Sequence, residues 1–145
     1  MDCNVWEIIL SGATVFASVT AIAISLYIAN KQNRIALFEK RYEIYQDALY
    51  FFECAFNYCK KNDRASVSMA QLIELETRID SIIEKSKFLF DEEVSNILSQ
   101  GKACFSCHIK YYHEASEPTR ESNIKRSIEE NKHAFINKAS KVLKL

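Results

Sequence analysis

A chain of 145 residues with 19 basic and 19 acidic side chains carries no net charge, which excludes a uniformly polycationic or polyanionic binder. Two glycines and one proline leave little material for tight turns, so the composition excludes hairpin-rich folds and favours long helices. The length suits one domain once the most apolar segment is set aside.

That segment comes first. Ile8 to Ala29 is 22 residues without a charge, matching the roughly 20 helical residues that cross a bilayer core of about 30 Å. No basic residue precedes it, and it is longer than the ~7–15 apolar residues of a cleaved signal peptide. Trp6 and Tyr27 stand near its ends, where aromatic rings favour the headgroup zone. Residues 1–30 are therefore expected to form a transmembrane anchor, with the lipid bilayer as its first partner. Every Lys and Arg lies at Lys31 or later, and Lys31, Arg34, Lys40 and Arg41 follow the span. The positive-inside rule then puts the N-terminus outside and residues 31–145 in the cytoplasm, where five cysteines are expected to stay reduced.

Within the span, Ser11, Thr14, Ser18, Ala21 and Ser25 recur at alternating steps of three and four residues. Such a stripe of small residues lets helices approach closely, so it predicts a homo-oligomer. In a ring of helices the same stripe is placed to line a water-filled passage.

No breaker separates Ala29 from Asn62, so the span is expected to continue into the first helix of a bundle. Ile35, Phe38, Tyr42, Tyr45, Leu49, Phe52, Phe56 and Cys59 keep a heptad rhythm that predicts a buried seam. Lys60 to Asp63 end it. Ser68 with Gln71 reads as a capping box opening a second helix, whose apolar stripe is Leu72, Leu75, Ile79, Ile82, Ile83 and Phe88. Asp91 is an N-cap candidate, with Glu92 and Glu93 complementing the positive end of a third helix. That helix carries Val94, Ile97, Leu98, Gly101, Cys104, Phe105, His108 and Tyr111 or Tyr112 on its apolar stripe. After a break around Pro118, Ile124, Ile128, Phe135, Ala139 and Val142 mark the inner face of a fourth. The expectation is all-α: a transmembrane helix running on into a cytosolic four-helix bundle over residues 31–145.

Three candidate sites lie on this frame. Cys104, Cys107 and His108 have the C-x-x-C-H spacing of covalent haem attachment. "GKACFSCHIKYY" resembles the haem-binding helix of cytochrome c′, itself a four-helix bundle. Zinc is a second reading, with His113 as a fourth ligand, although helical spacing sends these four residues to different faces. Packing is the third, because Cys104 and His108 share the apolar stripe with Val94, Ile97 and Gly101, and free Cys is commonly buried. Haem is attached outside the cytoplasmic membrane and a full helix follows the motif, so packing is the expectation, with no cofactor.

The second site is Arg126 and His133, seven residues apart on the fourth helix and so nearly on one side of it. A guanidinium that grips phosphate and an imidazole that titrates near neutrality suit RNA cleavage. The pair resembles the R-x(4–6)-H motif of HEPN domains, four-helix bundles in which two motifs meet across a dimer. From Arg120 onward the chain carries seven basic and three acidic residues, a mild preference for an anionic partner such as RNA.

The third reading joins the others. "RIALFEKRYEIYQ" after the span and "KSKFLFDEEV" before the third helix resemble bacterial single-pass membrane proteins with a cytosolic helical domain. With the Arg126–His133 spacing, the resemblance narrows to small membrane accessory proteins encoded beside RNA-guided, RNA-cleaving CRISPR effectors. It implies an inner-membrane location, a divergent HEPN-like domain and a ring-shaped pore whose depolarisation of the membrane strengthens antiphage defence. Arg126 and His133 would be its degenerate motif and Ser11, Thr14, Ser18 and Ser25 its conduit. The partner would be an RNA-targeting effector protein or RNA. A HEPN-like RNase, a membrane-tethered c-type cytochrome and a scaffold are the alternatives.

Overall fold

The computed structural model describes residues 3–60, 68–111 and 118–143. They form four helices, α1 (Cys3–Lys60), α2 (Met69–Leu89), α3 (Glu92–Tyr111) and α4 (Pro118–Leu143), with no strand among the described residues. The chain divides into two compact units, Met1–Phe38 and Glu39–Leu145. The expected break at Lys61–Asp63 lies outside the described residues, as do Tyr112 and His113.

In the first unit every side chain from Asn4 to Leu37 is exposed. The stretch contains no proline to break the helix, and its hydroxyl side chains find acceptors on carbonyls of the same helix. Thr14, Ser18 and Ser25 each donate a hydroxyl hydrogen bond of 2.8 Å to the carbonyl four residues back. Ser11 donates one of 3.0 Å to the Ile8 carbonyl. Back-bonding of this kind leaves the outer surface of the helix apolar in effect.

The second unit holds the core. α1 buries Ile44, Ala48, Phe51, Phe52, Ala55, Tyr58 and Cys59. This face is broader than the predicted heptad seam and rotated away from its early members: Ile35 and Tyr42 are exposed, and Tyr45, Leu49 and Phe56 are only half-buried. The reason is geometric. A seam two positions wide suits one partner helix, whereas a helix packed among several buries a wider stripe that includes adjacent pairs such as Phe51–Phe52 and Tyr58–Cys59. Phe51 meets Phe105 of α3 edge-on at 5.7 Å, and Phe52 and Tyr45 meet Phe135 of α4 at 5.9 and 5.6 Å. These aromatic contacts join α1 to α3 and α4.

α2 buries Leu72, Ile79, Ile82 and Ser86. Phe88, expected on this stripe, is 84% exposed. Counting on from Ile82 by helical steps reaches Ser86 and half-buried Leu89, so the inward face passes Phe88 by. The Ser86 hydroxyl donates to the Ile83 carbonyl at 2.7 Å, which makes a polar residue tolerable at a fully buried position. α4 buries Ile128, Phe135 and Ala139, with Ile124 and Val142 half-buried, along the predicted face.

The helix ends follow the sequence signals. Ser68 and Gln71 form the reciprocal capping box, with the Gln71 N–H donating to Ser68 Oγ at 3.3 Å and the Ser68 N–H to Gln71 Oε1 at 2.9 Å. Asp91 Oδ1 accepts the Val94 N–H at 2.9 Å, and Glu92 and Glu93 occupy the first turn of α3. Pro118 is the first residue of α4, where a missing N–H costs nothing. At the C-terminus of α2, Arg41 Nε donates to the Leu89 carbonyl at 2.6 Å, placing a cation on a carbonyl that has no partner within its own helix.

Candidate functional site

The C-x-x-C-H residues of α3 separate into two environments. His108 is 5% exposed and its ring meets Tyr58 of α1 edge-on at 5.9 Å, so the imidazole belongs to the core. Cys104 is half-buried and Cys107 exposed, and both line a shallow groove of about 330 Å³ between α3 and α4 with Ala103, Asn123, Ile124 and Ser127. Cys104 Sγ lies 3.2 Å from Ser127 Oγ. A haem held by both thiols would need an imidazole beside them, and the His108 ring packs against α1 instead. The residues do not fit a c-type haem in this fold. Among the described residues no three His, Cys, Asp or Glu side chains converge as a metal-binding set.

Ser127 was not legible as a functional neighbour from sequence. It follows Arg126 directly and reads as one more polar position on a solvated face. Only the packing of α3 against α4 shows that it faces Cys104.

Arg126 and His133 both lie on the exposed side of α4. The Arg126 side chain is 80% exposed and its Nε donates to Glu130 Oε1 at 2.8 Å, an ion pair one helical turn long. Seven residues of helix put the two Cα atoms about 10 Å apart along the axis.

Ser11, Thr14, Ser18, Ala21 and Ser25 are all exposed on α1. With the four hydroxyls already bonded to carbonyls, the stripe offers a narrow, smooth surface. The helix that carries it is long and apolar enough to cross a membrane, and none of its most apolar window is buried by the rest of the chain. No family model, curated protein or solved structure matches the chain.

Proposed function

We propose that the chain is a single-span protein of the bacterial inner membrane that self-associates through α1 and acts as a pore-type accessory effector in antiviral defence. Its helical bundle stands on the cytoplasmic side. The observation that carries the anchoring is the exposure of the entire apolar run, including Ile8 at 69%, Phe16 at 75%, Val19 at 60% and Ile22 at 60%. Leaving such side chains in water costs about 25 cal/mol for each Å² of apolar surface, and a bilayer removes that cost. Lys31, Arg34, Lys40 and Arg41 after the run support the cytoplasmic placement of the bundle.

Self-association is supported by the small-residue stripe, whose satisfied hydroxyls allow backbones to approach without stranding a polar group in lipid. The pore and the link to RNA-targeting defence rest on the resemblance carried by "RIALFEKRYEIYQ", "KSKFLFDEEV" and the Arg126–His133 spacing. In this reading the Arg126–His133 pair is degenerate and binds rather than cleaves, in keeping with an Arg126 already paired to Glu130.

The test is the mass of the full chain in mild detergent, followed by dye entry into expressing cells. The expected result is a homo-oligomer, with dye entry lost when Ser18→Leu fills the stripe. A monomer at all protein concentrations would end the association and the pore together.

A further inference from the structure

Cys104 and Cys107 are three residues apart on α3, and both line the groove that α3 forms with α4. Cys104 is half-buried with its sulfur 3.2 Å from Ser127 Oγ, and Cys107 is exposed. Ala103 and Ile124 give the same groove apolar walls. Both thiols are free. Side chains three apart on a helix have Cβ atoms about 5–6 Å apart. A disulfide requires about 3.5–4.5 Å, so an intact α3 does not close one between them. A metal ion spans the wider gap, because two metal–sulfur bonds replace one S–S bond. Each such bond is about 2.3 Å in zinc thiolate sites.

We propose that Cys104 and Cys107 form a two-coordinate site for a soft monovalent metal ion, copper(I). The number and softness of the donors decide the metal. Zinc closes a structural site with four ligands, and among the described residues no third His, Cys, Asp or Glu joins the two thiols. Thiolate sulfur selects copper(I), whereas magnesium and calcium require oxygen ligands. On binding, each thiol gives its proton to solvent and two copper–sulfur bonds form. The copper stays in the +1 state, and the complex carries one net negative charge. The Ser127 hydroxyl is placed to donate to the Cys104 sulfur, orienting it and sharing that charge. A haem would also require the His108 imidazole, which packs against Tyr58; a two-sulfur site does not. Both ligands stand on one helix of the second unit, so the site depends neither on the membrane anchor nor on a second copy.

The full chain in mild detergent, reduced and kept free of oxygen, is titrated with copper(I) against the chromophoric chelator bicinchoninate. The expected result is one copper(I) per chain withheld from the chelator. Cys104→Ser and Cys107→Ser should each abolish it, and Cys54→Ser, outside the groove, should keep it. Cys107 is exposed, so its substitution leaves the core untouched, and helical circular dichroism checks the fold of each variant. Ser127→Ala should weaken binding by about tenfold. X-ray absorption of the loaded chain should show two sulfur neighbours on copper and no nitrogen. Surrender of all copper to the chelator overturns the proposal. Copper retained by Cys107→Ser, or lost from Cys54→Ser, overturns it as well, as does a shell of three or more ligands.

Discussion

Gly101 shows how closely one position is determined by its neighbour on another helix. It lies within α3, where glycine is a poor helix former, and nothing in its backbone requires it. The requirement comes from Phe52: a Cβ at Gly101 would lie 2.5 Å from Phe52 Cε1, and Phe52 is itself fully buried among Phe51 and Phe135. Gly101→Ala would gain up to about 1 kcal/mol of helix propensity. Overpacking against a ring that cannot swing away costs about 1–3 kcal/mol, so the net effect is a loss. Thermal unfolding in detergent should show a lower midpoint for Gly101→Ala, restored in part by Phe52→Leu. An unchanged or raised midpoint would mean that the ring moves freely. The sequence places Gly101 on the apolar stripe but does not disclose the contact, because nothing local to α3 identifies which α1 side chain arrives there. The same limit applies to Cys104, whose neighbour Ser127 is supplied by a helix more than twenty residues away.

At the scale of elements, helix ends were more legible than helix faces. Ser68–Gln71 and Asp91 act through residues three apart in sequence, so their chemistry is complete in the local string. The buried face of α1 depends on how many helices surround it, which periodicity alone does not state; hence the displaced seam and the misplaced Phe88. Lys138 connects two such ends. Its ammonium, in the last third of α4, reaches Glu93 in the first turn of α3 and lies 3.6 Å from Asp91 Oδ2. The hydrogen bond to Glu93, with the charges of Glu93 and Asp91, raises its pKa above the ordinary lysine value. A base whose folded pKa is raised binds its proton more tightly in the fold. Its contribution is therefore complete below the unfolded lysine pKa and lost as pH rises through the folded one. Unfolding midpoints followed from neutral to strongly alkaline pH should fall more steeply for the unaltered chain than for Lys138→Met. Parallel curves would show that the pair does not contribute. The effect is expected to be small, because all three side chains are accessible to solvent.

For the whole molecule, the distribution of burial is the decisive feature. The buried core residues all fall between Ile44 and Ala139, whereas the most apolar stretch of the chain buries nothing. A water-soluble protein would invert that allocation, because its most apolar segment is the one that gains most from burial. The membrane reading turns on this contrast, and it can be tested by charge. Replacing a central apolar residue of a spanning helix by Asp shifts insertion from about −0.3 to −0.6 to about +2.5 to +3.5 kcal/mol. Val15→Asp and Val19→Asp lie one turn apart near the middle of the run, so together they oppose insertion by roughly 6–8 kcal/mol. After an alkaline wash of membranes, the unaltered chain and each single variant should remain largely in the pellet, and the double variant should be released. The core of the second unit contains neither position, so loss of insertion should leave it intact, and the released protein should keep the protease resistance of residues 39–143. Release of the unaltered chain by the same wash would show that α1 is covered by protein instead of lipid.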